Sequence, residues 1–157
     1  MYPVAGTDAE GAGGLACTYL ADRKTPALDD TAYLQPTLHG LRVLEVGHFV
    51  AAPFCTRLLG DLGADVIKVE PPGGDPVRNW GAQVDGQSLW WSVHGRNKRS
   101  VVIDLKNPEG RDLLLQIIKT CDVLVENFRP GQLDKLGLDA ATLQHARPGL
   151  IVARISG

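Results

Sequence analysis

Five short runs of apolar residues recur along the chain from Leu41 onward. They read LRVLEV, ADVIKVE, SVVIDL, DVLVE and LIVARI in the sequence. Each run is nearly continuous in Val, Ile and Leu rather than strictly alternating, which is typical of strands that helices cover on both faces. The pattern therefore predicts five parallel strands.

Segments with helical spacing lie between these strands. Residues 52–62 are predicted to form a helix whose apolar face comprises Phe54, Leu58, Leu59 and Leu62. A second helix is expected to start with Asn107 as its cap and Pro108 at its first position. Its buried stripe is predicted to comprise Leu113, Leu114, Ile117 and Ile118. A third helix is expected after Asp139.

This alternation of strands and helices predicts the class of fold. Right-handed crossovers between parallel strands produce an α/β fold, a doubly wound and mostly parallel Rossmann-like sheet with helices on both faces. In such sheets, ligands bind beyond the carboxyl ends of the strands. We therefore look for functional residues directly after each predicted strand.

Two stretches lack the strand and helix pattern. Residues 1–38 contain GTDAEGAGG and no sustained period, so we expect a flexible or loosely packed N-terminal extension before a domain that covers residues 39–157. Residues 71–99 form an unusually long connection with Trp80, Trp90 and Trp91. Tryptophans are costly to expose, so we expect this connection to pack over the sheet or against a partner.

Charge and cysteine content narrow the function classes. Sixteen basic and eighteen acidic residues give a formal net charge of -2, which offers no general attraction to nucleic acid or an anionic membrane. Three widely spaced cysteines without CxxC spacing indicate neither a disulfide framework nor a metal site. With no long apolar run, the chain is expected to be soluble and cytoplasmic.

The first strand is followed by a turn with a single glycine. A dinucleotide fingerprint needs three glycines, so the sequence from Gly47 to Pro53 argues against a conventional NAD or methyl-donor site. His48 lies in this turn and could exchange protons near neutral pH. A histidine that is hydrogen-bonded within its loop is the slightly favoured alternative, because no paired acid or nucleophile is identifiable beside it.

Lys106, Asn127, Phe128 and Arg129 directly follow two of the predicted strands. At the carboxyl edge, Lys106 would offer a point charge for phosphate and Arg129 a planar fork. Phe128 would offer a surface for a base or a pantetheine-like chain. Helix-capping loops with solvated charges explain the same residues, and the sequence pattern leaves both alternatives open.

A denser basic cluster, Arg96, Lys98 and Arg99, precedes a strand instead of following it. It is therefore expected at the amino edge of the sheet, unless the long connection folds back over the cleft. A solvated or subunit-facing cluster and a phosphate site are equally compatible with this position.

Several motifs in order resemble the class III CoA-transferases, the CaiB/BaiF family that includes formyl-CoA transferase. The similarity is carried by LRVLEVGHFVAAPFCTRLLGDLGADVIKVEPPGGDPVR, by NKRSVVIDLKNPEGRDLLLQIIKTCDVLVENFRPGQLDKLGL and by RPGLIVARISG, from about Leu38 to Gly157. The resemblance implies an enzyme that moves CoA from an acyl-CoA to a carboxylic acid through an aspartyl-CoA thioester. It implies coenzyme A or acyl-CoA as substrate, and no metal.

The resemblance also implies the residues that contact CoA. They are Val50, Ala51, Ile103, Asp104, Leu105, Lys106, Asn127, Phe128, Arg129 and Lys135. Two positions depart from the family pattern. Pro71 stands where some members have an arginine for the nucleotide end, and Val50 replaces a glutamine of formyl-CoA transferases, which makes a formyl or oxalyl substrate less expected.

The catalytic residue implied by the resemblance is not among the aspartates of this sequence. The nucleophilic aspartate is expected beyond Gly157, and only His48 is a possible auxiliary. Two alternatives therefore stay open beside a transferase: a 2-methylacyl-CoA racemase of the same family and a non-catalytic CoA-binding or assembly subunit. The resemblance further implies a homodimer, because full-length relatives interlock.

Overall fold

The structure is a computed structural model that describes residues 35–156. Most of the predicted N-terminal extension, residues 1–34, lies outside the described residues, so the division of the chain at residue 38 stays a prediction. Within residues 35–156, no helix is long and apolar enough to cross a membrane.

A five-stranded sheet forms the centre of the described domain. Its strands are β1 (Arg42–Val46), β2 (Asp65–Glu70), β5 (Lys98–Val102), β6 (Val123–Glu126) and β7 (Ile151–Arg154). All neighbouring strands are parallel, and their order is β5-β2-β1-β6-β7. The predicted α/β fold and the five parallel strands are confirmed.

Helices cover both faces of this sheet. They are α1 (Ala51–Asp61), α2 (Leu89–His94), α3 (Pro108–Ile118), α4 (Gln132–Lys135) and α5 (Ala140–Ala146). On one face α1 contributes to a small core around Val43, Ala52 and Val66. On the other face α3 and α5 enclose a larger core around Leu44, Leu114 and Leu143. As expected, Asp139 caps α5, accepting a hydrogen bond from the backbone N–H of Thr142 at 2.9 Å.

The predicted apolar face of α1 is confirmed for Leu59, which packs against the core, and is wrong for the other three residues. Phe54, Leu58 and Leu62 are all exposed, whereas the small residues Ala52 and Thr56 face the sheet. Ala52 packs with Val43 and Val66 in the core, and the Thr56 hydroxyl donates a hydrogen bond to the buried Glu45 carboxylate of β1 at 2.5 Å. On α3, Leu114 and Ile118 are buried as predicted, but Leu113 is 45% exposed.

The long connection between β2 and β5 has secondary structure that the sequence pattern did not predict. It contains a short 3-10 helix (Pro76–Asn79), a hairpin of β3 (Gln83–Val84) and β4 (Gln87–Ser88), and then α2. The hairpin turn is Asp85-Gly86, both with positive φ, a dipeptide that favours two-residue hairpins. That dipeptide was the overlooked signal.

The tryptophans pack within this connection, as expected for an ordered segment. The guanidinium carbon of Arg78 lies 3.5 Å from the ring centroid of Trp91. The rings of Trp80 and Trp90 are 5.3 Å apart. The side chains of Trp80 and Trp90 are nevertheless more than 40% exposed.

Candidate functional site

A cleft of about 160 Å³ opens at the carboxyl edge of the sheet. The chain crosses from the edge strand β5 to β6 beside β1, so this edge includes the switch point where ligands of doubly wound sheets bind. The cleft is lined by Val46, His48, Val69, Glu70, Pro71, Ile103, Asp104, Leu105, Lys106, Phe128, Gln132 and Leu136. Four strands thus contribute their ends or following loops to one cleft.

The loop after β5, residues 103–106, forms one wall of the cleft. A Cβ on Gly110 would lie 2.1 Å from the carbonyl oxygen of Asp104, so only glycine allows α3 to approach this loop so closely. The Asp104 carboxylate accepts a hydrogen bond from the backbone N–H of Lys106 at 3.0 Å. Arg111 donates to two carbonyl oxygens of the loop at 3.0 and 3.2 Å. The loop is therefore fixed while the Lys106 side chain stays exposed.

The loop after β6 is joined to the loop after β1. Asn127 accepts a hydrogen bond from the His48 N–H and donates one to the His48 carbonyl, both at 2.9 Å. A Cβ on Gly47 would lie 2.4 Å from the Asn127 amide oxygen, so glycine is required for this contact. Phe128 presents its ring edge-on to His48, with centroids 5.3 Å apart. Asn127 therefore holds the site together at the switch point.

His48 lies in the cleft, and its surroundings favour the neutral imidazole. Its side chain is 30% exposed, and its Nδ1 lies 4.0 Å from the Asp75 carboxylate. Burial lowers the pKa of His48 below its usual value, and the nearby Asp75 only partly opposes this effect. A neutral imidazole can accept or donate a hydrogen bond to a ligand.

Glu70 also lines the cleft, and its buried carboxylate accepts hydrogen bonds from several donors. Arg78 donates to it in a bidentate pair at 2.6 and 2.7 Å, and Ser100 and the backbone N–H of Asp75 donate as well. Burial raises the pKa of Glu70, but these hydrogen bonds outweigh burial and bring the pKa down to about 2. The carboxylate is therefore ionised, and both of its oxygens accept hydrogen bonds from the protein.

Between the sheet and α1 lies a buried charge network that the sequence analysis missed. Lys68 Nζ lies 2.5 Å from a Glu45 oxygen and 2.8 Å from an Asp75 oxygen. Lys98 Nζ lies 2.7 Å from Glu45, and the Thr56 hydroxyl donates to Glu45 at 2.5 Å. The signal was a charged residue at an inward position of an otherwise apolar strand, because charges are buried only when they are paired.

The structure brings together about half of the CoA contacts that the resemblance implies. Ile103, Asp104, Leu105, Lys106 and Phe128 line the cleft, and Asn127 lies behind it. Val50 and Ala51 lie at the start of α1 and outside the cleft lining. Arg129 lines a separate cleft of about 90 Å³ with Arg154, and Lys135 is exposed on α4. Sequence reasoning did not identify Glu70, Gln132 or Leu136 as parts of the cleft.

The basic cluster lies away from this cleft, at the amino edge of the sheet. β5 begins at Lys98, two residues before the predicted strand, so Lys98 and Arg99 are strand residues. Arg99 pairs with Asp65 at 2.7 Å, and Arg96 pairs with Asp61 at 2.5 Å. These charges stabilise contacts between elements. Within residues 35–156, no group of three His, Cys, Asp or Glu side chains could hold a metal ion.

Known proteins resemble this chain in sequence and in fold. The family described as CoA-transferase family III matches residues 38–157. Succinyl-CoA--D-citramalate CoA-transferase of Chloroflexus aurantiacus is 52% identical over 76% of this chain and 30% of its own length. Formyl-CoA:oxalate CoA-transferase of Afipia carboxidovorans is 48% identical over 76% of this chain and 29% of its own length.

Solved structures give the same result. The crystal structure of a CAIB/BAIF family protein from Brucella suis is similar with a TM-score of 0.73 and 41% identity. The similarity covers 78% of this chain and 34% of that chain. The chain therefore spans about a third of the length of the relatives it matches.

Proposed function

The chain belongs to CoA-transferase family III, and we propose that it supplies the CoA-binding part of an enzyme that moves CoA from an acyl-CoA to a carboxylic acid. The observation that carries this proposal is the cleft at the carboxyl edge, with Lys106 and Phe128 on its lining. Their chemistry suits a ligand that combines phosphates, a base and an apolar chain.

The proposed CoA site comprises the residues that the resemblance implies. They are Val50, Ala51, Ile103, Asp104, Leu105, Lys106, Asn127, Phe128, Arg129 and Lys135. Lys106 supplies a mobile positive charge for a phosphate, and Arg129 supplies a planar guanidinium. Phe128 offers an apolar surface for the pantetheine chain. The cleft lining supports the part of the set that follows β5, because those residues already form one wall.

We propose the aspartyl-CoA route for the chemical step. An aspartate carboxylate attacks the acyl-CoA carbonyl and expels CoA as a thiolate, which leaves a mixed anhydride. The thiolate then attacks the aspartyl carbonyl, which releases the donor carboxylate and forms the aspartyl-CoA thioester. The acceptor carboxylate displaces CoA from this thioester to give a second anhydride, and the thiolate attacks the acceptor carbonyl to form the new acyl-CoA and free the aspartate. That aspartate is expected beyond Gly157. The contribution of the described residues is to bind and orient the thioester, which converts the transfer into a reaction between held groups.

An activity assay on the protein as its cell produces it tests the proposal. Succinyl-CoA with D-citramalate is the first pair to assay, because the relative named for that reaction is 52% identical. The expected result is transfer of CoA to the added acid. Exchange of the acyl α-proton without transfer would indicate a racemase instead. Saturable CoA binding without either reaction would indicate a binding subunit.

We also propose that two chains assemble and that the protein is cytoplasmic. Support for assembly comes from an aromatic surface formed by Phe49, Trp80, Leu89, Trp90 and Val93, each 43–47% exposed. Contiguous exposed apolar patches mark interaction sites. A dimer in sedimentation experiments, weakened in Trp90→Ser, is the expected outcome. Widely spaced cysteines support a reducing compartment.

A further inference from the structure

The loop between β1 and α1, residues 47–50, has a strained backbone. Phe49 has φ of 62°, in the left-handed region that bulky residues rarely adopt. This conformation is strained for a bulky residue, so the surroundings must hold it there. The Phe49 side chain is exposed and contributes only an edge contact with Trp80 at 5.7 Å. Other contacts must therefore fix the loop.

Asp75 supplies one of these contacts from the connection that follows β2. Its Oδ1 accepts hydrogen bonds from the backbone N–H groups of Phe49 at 3.3 Å and of Val77 at 2.9 Å. Its side chain is fully buried, and its Oδ2 lies 2.8 Å from Lys68 Nζ. Asn127 binds the same loop from the opposite side. The loop is thus held between β6 and a buried, charge-balanced aspartate.

The same carboxylate faces the ring of His48. His48 Nδ1 is buried and has no hydrogen-bond partner among residues 35–156. It lies 4.0 Å from Asp75 Oδ2. A carboxylate only accepts hydrogen bonds, so it favours the imidazole tautomer that carries its proton on Nδ1. That tautomer leaves Nε2 as the unprotonated nitrogen on the ring, which lines the cleft.

We propose that Asp75 is a positioning residue of the acyl-CoA site, which holds the strained loop and sets the tautomer of His48. His48 then presents Nε2 as a hydrogen-bond acceptor to an N–H or O–H group of the ligand. This inference rests on the proposed function, because the loop also carries Val50 and leads into Ala51. Carboxylates that orient metal-bound histidines act on binding without contacting the metal themselves, and Asp75 would act on His48 in the same way.

The first test is direct and needs no variant. Multiple-bond proton–nitrogen NMR spectra of the protein distinguish a proton on Nδ1 from a proton on Nε2. The inference predicts the Nδ1–H tautomer for His48 above the pH at which it titrates. Finding the Nε2–H tautomer would overturn it, whether or not the protein binds CoA.

The second test uses Asp75→Asn, with Asp61→Asn as the matched control. Asp61 pairs with Arg96 at the amino edge, far from the cleft. Lys68 keeps Glu45 and the Gly47 carbonyl as partners in Asp75→Asn. We expect Asp75→Asn to lower the pKa of His48, because a neutral amide no longer stabilises the imidazolium. Asp61→Asn should leave the pKa of His48 unchanged.

Calorimetric titration with CoA completes the test. Asp75→Asn is expected to weaken CoA binding by about tenfold, the loss that corresponds to one hydrogen bond between neutral groups. Unchanged affinity in Asp75→Asn, while Lys106→Ala binds more weakly, would refute the role of Asp75 and leave the CoA site intact. Absence of CoA binding in the unsubstituted protein would instead refute the proposed function. If Asp75→Asn does not fold, the tautomer of His48 in the unsubstituted protein still tests the inference.

Discussion

The ammonium group of Lys68 lies 2.5 Å from the carboxylate of Glu45, and both side chains are at most 1% exposed. Asp75 is the second carboxylate in contact with Lys68. The pair links the two central strands β1 and β2 directly beneath the loop that carries His48. A buried ion pair of this kind is costly to form, but breaking it by removing one partner is costlier still.

Lys68→Ala is therefore expected to destabilise the protein strongly. Glu45 keeps Lys98 as a partner, but Asp75 loses its lysine and remains buried with a full charge. We expect the free energy of unfolding in urea to fall by about 3–5 kcal/mol. The matched control is Arg99→Ala, which breaks an exposed pair with Asp65 and should cost about 1 kcal/mol or less. Equal effects of the two substitutions would contradict a buried network.

Gly47→Ala tests the close contact between the loops after β1 and β6. The added methyl group would lie 2.4 Å from the Asn127 amide oxygen and 2.5 Å from the Ala52 Cβ, so one of them must move. Overpacking of this kind costs about 1–3 kcal/mol of unfolding free energy. In the control Gly60→Ala, the nearest atom to the added methyl group is the Asn97 carbonyl oxygen at 3.2 Å, and Gly60 lies within α1, where alanine favours the helix. If Gly47→Ala left the free energy of unfolding unchanged, Asn127 would not hold the loop in place.

Glu70 predicts a dependence of stability on acid pH. Its pKa of about 2 in the folded protein lies below the ordinary value of 4.5. Its stabilising contribution is therefore complete above pH 4.5 and is lost as the pH falls from 4.5 towards 2. We expect Glu70→Gln to remove this part of the pH dependence in urea unfolding.

The control for Glu70 is Glu109→Gln, which removes an exposed carboxylate from the first turn of α3 without touching Arg78. If Glu70→Gln and the unsubstituted protein lost stability identically between pH 4.5 and pH 2, the bidentate pair with Arg78 would not form in solution.

His94 predicts a second pH dependence, nearer to neutrality. Burial lowers the pKa of His94, and the neighbouring Lys98 and Arg57 lower it further. Its ring stacks on Trp90 with centroids 5.5 Å apart. Because the folded pKa lies below the ordinary value of 6.5, its contribution to stability is complete above pH 6.5 and is lost as the pH falls through the folded pKa.

Urea unfolding of His94→Gln between pH 5 and pH 8 measures this contribution. The variant should lose less stability on acidification than the unsubstituted protein. His145→Gln, an exposed histidine on α5, is the matched control. If the free energy of unfolding depended on pH equally in His94→Gln and in the unsubstituted protein, protonation of His94 would not oppose folding.

The fold could be predicted from the sequence because each parallel strand is a nearly continuous apolar run. Such a run is recognisable without knowing which strands pair with it. The carboxyl-edge rule predicted that Lys106 and Phe128 emerge at the carboxyl edge, and both line the cleft at that edge. Periodicity failed for α1, because it identifies an apolar face without showing what the face contacts. Here the helix turns Ala52 towards the apolar core and Thr56 towards the buried Glu45 carboxylate, and Phe54 remains exposed.

The contacts of Asp75 could not be predicted from the sequence. Asp75 follows two glycines in a long connection, where an aspartate is ordinarily a solvated turn residue. Its burial depends on Lys68 of β2 and on Phe49 of a distant loop. Such contacts among three distant segments depend on tertiary packing, which the spacing of residues along the chain does not predict.

Calorimetric titration of CoA into the protein as its cell produces it tests the central claim most directly. The account predicts saturable binding that Lys106→Ala and Arg129→Ala each weaken by about 1–3 kcal/mol, because each removes a charge-assisted contact. Lys119→Ala, which removes an exposed lysine at the end of α3, should bind CoA unchanged. No binding, or equal binding by all four proteins, would contradict a CoA site at the carboxyl edge of this sheet.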